Sequence, residues 1–182
     1  SARSRRARTS GGEPLLTHYD LDAGGRTELS VATFANWVNK TANLIEDVGA
    51  DEGQVGLPLA TSRPGHWMTL IWPLAAWQRE CTVSPSADHA DVAVVGPDDS
   101  QPIVPGATFA CSLHPLGLGL RDLPPGVLDY TTEALAQPEV KQRLANLDLF
   151  YEGLTGADAV RRLADLSLRY GKVIQATGMK VE

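Results

Sequence analysis

The sequence predicts an α/β domain, a mostly parallel sheet flanked by helices with a helical part at its C-terminal end. Three observations predict it. Short, nearly continuous apolar runs at 55–59, 81–83, 91–96 and 107–113 have the make-up of buried strands. Runs of helical period lie before and between the first of them, at 31–45 and 66–78. Clusters of Gly, Pro, Asp and Ser separate these runs, so strands and helices alternate, as a sheet with crossover connections requires.

The chain has 182 residues, 43% of them hydrophobic, which suits one domain with one core. Residues 1–12 read as a basic arm carrying Arg3, Arg5, Arg6 and Arg8. Such an arm could meet nucleic acid or an acidic partner, or simply be a solvated terminus. No second basic cluster continues the patch and the net charge is −6, so no nucleic-acid partner is expected. Residues 13–182 read as the domain, organised around residues 27–85, with its helical part at 129–178. No apolar run approaches the ~20 residues of a membrane span, and no signal-peptide pattern is present, so the expectation is a cytoplasmic protein without a membrane partner.

In chain order, residues 15–20 read as a strand and 27–29 as its return, joined by a turn in which Gly24 and Gly25 supply positive φ. Ser30 is an N-cap for the helix that follows. Val31, Phe34, Ala35, Val38, Ala42 and Ile45 then mark one helical face, and Gly49 supplies a left-handed stop. The run at 55–59 reads as a strand despite Pro58, which cannot donate to a sheet ladder. Pro64 suits the first position of the next helix, 66–78, which is apolar nearly all round and should be buried or packed on a partner, with Pro73 kinking it. Trp37, Trp67, Trp72 and Trp77 all fall in the organising stretch, and core packing is the expectation for them. Cys81 and Cys111 each sit in an apolar run and read as buried free thiols. After the Pro124-Pro125-Gly126 break the chain reads as helical, with short helices at 130–136 and 138–147. A longer one at 157–176 carries Val160, Leu163, Leu166, Tyr170 and Val173 at near-heptad spacing.

In residues 27–85 the order of segments resembles the opening of the adenylate-forming (AMP-binding, acyl-CoA synthetase-like) superfamily. Ala42-Asn43-Leu44-Ile45, Gly49, Gly53-Gln54-Val55, Thr61-Ser62 and Val83-Ser84-Pro85 carry the likeness. As a whole the chain resembles a small bacterial family of uncharacterised proteins similar to that N-terminal region. The resemblance implies the fold of the N-terminal subdomain, and AMP or ATP enters only as a ligand the resemblance implies. The superfamily's phosphate loop, ribose-binding Asp and C-terminal-domain Lys have no counterpart in these residues. Thr9-Ser10-Gly11-Gly12-Glu13-Pro14 echoes the phosphate loop but precedes the first helix and lacks the Lys. Tyr130-Thr131-Thr132-Glu133 echoes another motif but lacks its Gly, and reads equally as a helix start.

No Gly-x-Ser-x-Gly elbow, Walker loop, His-Glu-x-x-His or zinc-ligand spacing appears, so no catalytic residue and no metal are expected. An open α/β sheet places a ligand beyond the carboxyl ends of its strands. That selects Thr61, Ser62 and Arg63, then Ser84 and Ser86, then His114, with His66 at the following helix start. Thr61, Ser62 and Arg63 precede a helix, where free N–H groups would favour an anion; ordinary capping by Ser62 is the alternative. The reading is a pseudoenzyme, a binding or assembly module that forms homo-oligomers through its apolar helices. The alternative is part of a split acyl-activating enzyme, or another enzyme binding a nucleotide or acyl ligand.

Overall fold

The structure, a computed structural model, describes residues 11–20, 25–114 and 119–136. Residues 1–10 of the basic arm, residues 22–24 of the hairpin turn and the helices expected at 138–147 and 157–176 lie outside the described residues.

Strands β1 (Pro14–Asp20) and β2 (Gly25–Ser30) form the expected antiparallel hairpin, with Thr17 opposite Glu28 and His18 opposite Thr27. The chain then enters helix α1 (Val31–Asp47), whose N-cap is Ser30: its Oγ accepts from the Thr33 N–H at 3.1 Å. Two further orphan donors of the first turn, Val31 N–H and Ala32 N–H, reach the carbonyls of Glu13 and Gly11 at 3.0 and 2.9 Å. The segment that echoes a phosphate loop therefore turns carbonyls, not N–H groups, to this helix. Helix α1 buries Val31, Phe34, Val38, Ala42 and Ile45, as its period predicts, together with Thr41 and Leu44. Gly49 ends it at φ +70°.

The next strand, β3 (Gln54–Gly56), is shorter than expected. Pro58 does not sit in the strand; it starts the helical turn α2 (Leu59–Ser62), and its carbonyl accepts from the N–H groups of Thr61 and Ser62 at 2.8 and 3.1 Å. A missing N–H costs nothing at a helix start, whereas it would break a ladder. Val55, Leu57 and Leu59 are all buried, so the apolar pattern marks the burial correctly while Pro58 decides the geometry. Helix α3 (Met68–Gln78) starts two residues later than expected, and Pro64 lies in the turn before it. Pro73 stands inside α3. Met68, Ile71, Trp72, Ala75 and Ala76 are buried, but Leu70 and Trp77 face outward, 50% and 63% exposed. The core expectation thus holds for Trp67 and Trp72, in part for the half-buried Trp37, and fails for Trp77.

Strands β4 (Thr82–Ser84), β5 (Val92–Val95) and β6 (Ala107–Ala110) follow, the last ending three residues before the predicted limit. Strand β7 (Val127–Asp129) is not anticipated by the sequence, because three residues after a Pro-Pro-Gly break show no period. Helix α4 (Tyr130–Ala136) begins where the helix-start reading placed it, with the Asp129 carboxylate accepting from the Thr132 N–H at 2.6 Å.

The five strands β3 to β7 are all parallel, in the order β4-β3-β5-β6-β7. The main core lies between one face of this sheet (Val55, Val92, Val94, Phe109) and helices α1, α3 and α4. At its centre Trp72 packs on Phe109 and Tyr130, with ring centroids 5.4 and 5.1 Å apart. The Tyr130 hydroxyl is 2.6 Å from Thr41 Oγ1, which itself donates to the Trp37 carbonyl at 2.8 Å. On the opposite face Val95, Ala110 and Val127 are covered by Leu120 and Leu123. Cys81 and Cys111 are buried and free. Among the described residues no helix is long and apolar enough to cross a membrane.

Candidate functional site

From β3 the chain moves outward to β4 on one side, and β5, β6 and β7 extend the sheet on the other. The carboxyl ends of β3 and β5 therefore flank a topological switch point, where loops diverge and leave a crevice. A crevice of about 480 Å³ lies there, lined among others by Pro58, Thr61, Ser62, Ser86, Asp88 and Asp99. Its polar groups are tied to one another. Ser62 Oγ donates to Asp99 Oδ2 at 2.8 Å, and the Gly96 N–H donates to the same oxygen at 2.6 Å. Across the crevice Ser86 Oγ donates to Asp88 Oδ2 at 2.8 Å and accepts from the Asp88 N–H at 3.1 Å. The Ser86 N–H in turn donates to Ser84 Oγ at 3.2 Å. Both serine–aspartate pairs hold the loops that frame the opening. The second loop also presses on the sheet: a Cβ built on Gly56 would lie 2.6 Å from Ala87 Cα and 2.7 Å from the Ser86 carbonyl oxygen.

The expectation that Thr61, Ser62 and Arg63 precede a helix with free N–H groups is corrected here. Thr61 and Ser62 lie inside α2 and Arg63 closes it, so their N–H groups are bound to the carbonyls of Pro58, Pro58 and Leu59 at 2.8, 3.1 and 2.8 Å. An early proline start moved the helix onto these residues, and their backbone N–H groups are taken up by its own carbonyls.

Arg63 and His66 face a second cleft of about 400 Å³, between the hairpin and the loop joining α2 to α3. His18, Tyr19 and Asp20 form its hairpin wall, and Leu113 adds to it from beyond β6. His66 is buried, its ring meeting that of His18 edge-on at 4.9 Å. Nδ1 accepts from the Met68 N–H at 3.3 Å. Burial first, then the neighbouring His18, push its pKa down to about 4, while a hydrogen bond to the Leu113 backbone opposes them. A ring that accepts at Nδ1 carries its proton on Nε2 and is neutral. His66 is thus a structural junction between the hairpin, α3 and the segment after β6.

The structure brings Thr61, Ser62 and Ser86 to the switch-point crevice and Ser62, Arg63 and His66 to the second cleft, with Ser62 on the ridge between them. Ser84 anchors Ser86 from outside the crevice lining. His114 is exposed, its N–H donating to Ser112 Oγ at 3.2 Å, and it lines neither cleft. Sequence reasoning missed Asp88, Asp99, His18 and Asp20. The two aspartates had a readable signal, a carboxylate in a short loop just beyond a strand, where it can turn back on backbone N–H groups. The hairpin residues had none, since which face of a two-stranded ribbon meets a distant loop is a tertiary matter.

No family model matches the chain. A protein of Mycobacterium tuberculosis (strain ATCC 25618 / H37Rv) described as a "TIGR03089 family protein" is 34% identical over 129 residues, covering 65% of this chain and 51% of that protein. The chain thus spans about half the length of the curated relative it matches. Among solved structures it is similar to an acyl-CoA synthetase of Brucella canis, with a TM-score of 0.51 at 17% identity over 70% of this chain and 25% of that one. At that identity the likeness is one of fold. The five-stranded parallel sheet flanked by helices is that of an acyl-CoA synthetase-like α/β fold.

Proposed function

We propose that this chain is a non-catalytic relative of AMP-binding enzymes that uses their sheet as a binding or assembly module. The acidic switch-point crevice carries this reading. Asp88 and Asp99 line it, and no Lys or Arg does among the described residues. A nucleotide triphosphate brought there would meet two carboxylates of its own charge sign. The Ser62 and Ser86 hydroxyls already donate to those carboxylates. The test is ATP–pyrophosphate exchange with a panel of carboxylic acids, together with calorimetry against ATP, AMP and an acyl-CoA. No exchange and flat traces are expected; exchange above background with any acid overturns the reading.

A second reading is part of a split acyl-activating enzyme, supported by the likeness of fold to the solved acyl-CoA synthetase. Pyrophosphate release that appears only on adding a second, phosphate-loop-bearing protein would establish it.

A further inference from the structure

We propose that the cleft between β1 and the α2–α3 loop is a binding site for a small zwitterion, a molecule carrying a carboxylate and an ammonium group. This goes beyond the assembly reading and concerns a different face of the chain. The cleft is about 400 Å³, within the roughly 300–1,000 Å³ that small-molecule sites occupy. Its walls come from chain segments far apart in sequence, so its shape is set by the fold and not by one flexible loop.

Charge in the cleft sits on its walls. The floor is the His66 ring, neutral and accepting at Nδ1 from the Met68 N–H, against which His18 stands edge-on. On the loop wall Arg63 Nη1 donates to the Ser62 carbonyl at 3.0 Å. That bond orients the guanidinium and leaves most of its five N–H donors for a carboxylate, which it can grip in a two-pronged fashion. Arg63 makes no ion pair among the described residues. On the hairpin wall Asp20 lies close enough to act electrostatically on His66, so its carboxylate borders the same floor. A carboxylate with several lone pairs can accept from an ammonium besides its existing partners. A simple anion would be drawn to Arg63 and repelled by Asp20, and a simple cation would suffer the reverse. A molecule with both charges satisfies both walls, and it would clamp the hairpin to the loop.

The experiment titrates the full chain with glycine, β-alanine and 4-aminobutyrate, following the imidazole resonances of His18 and His66. Acetate and ethylammonium serve as single-charge controls. The expected result is saturable shifts of both rings with at least one zwitterion, at an affinity at least tenfold above either control. Arg63→Gln and Asp20→Asn should each weaken that binding at least tenfold while leaving the remaining spectrum unchanged. The absence of saturable shifts, equal binding of acetate, or unchanged binding by both variants overturns the proposal. None of these outcomes depends on ATP chemistry, so the failure of this site and the failure of the non-catalytic reading are separate results.

Discussion

His66 shows how one side chain can look functional in a sequence and be structural in the fold. A histidine at a helix start beside Ser62 and Arg63 invites a ligand-binding reading. In the structure its Nδ1 accepts from the first residue of α3, its ring packs on His18, and its pKa falls to about 4. The consequence for stability has a definite sign. The unfolded chain takes up a proton near the ordinary value of about 6.5, whereas the folded ring resists it to about 4. The stabilisation from neutral His66 is therefore complete above pH ~6.5 and is lost as pH falls toward ~4. Allowing for water at the cleft mouth, the loss should reach roughly 2–3 kcal/mol. Urea unfolding of the native chain and of His66→Gln at pH 7.5, 5.5 and 4.5 checks this: the native chain's advantage should shrink steadily with acid. An advantage independent of pH would show that the ring is not held neutral by the fold.

At the scale of elements, the close contact of the β4–β5 loop with β3 fixes the crevice. Gly56 sits at the carboxyl end of β3 with the Ala87 backbone against its Cα, and Ala90 Cβ would be 3.0 Å from an added methyl. These neighbours are backbone and a packed methyl, which yield little. Gly56→Ala should therefore cost about 1–3 kcal/mol by overpacking. It should also push the Ser86–Asp88 pair outward, so amide exchange in residues 85–90 should rise more than in α1. A variant as stable as the native chain, with unchanged exchange in that loop, would mean the loop is more compliant than its packing implies.

For the whole molecule, the open question is what meets the outer face of α3. The helix buries one side against α1 and the sheet and leaves Leu70 and Trp77 exposed seven residues apart, on one stripe. If the chain assembles with itself through this helix, Trp77→Glu should shift it to monomer in sedimentation velocity and leave its circular dichroism intact. The removed side chain is 63% exposed, so little folding energy is at stake. A native chain that is monomeric at high micromolar concentration would rule out this face as a self-association surface.

The sequence by itself determined the fold class, because burial period and turn chemistry are local. The stripe of α1, its Ser30 cap and Gly49 stop, the apolar strands β5 and β6 and the start of α4 at Tyr130 were all readable from neighbours within a few positions. It also pointed to the loops beyond the strand ends, since that rule follows from the class. Only the tertiary structure decided what those loops contain. Whether Pro58 ends a strand or starts a helix depends on the strand that pairs beside it. Whether Ser62 offers its hydroxyl to a ligand depends on Asp99, thirty-seven residues away, which takes it. Strand β7, too short for a period, exists because β6 presents it with an edge to pair with. The pairing of His18 with His66 depends on how the hairpin lies across the domain, which no local pattern encodes.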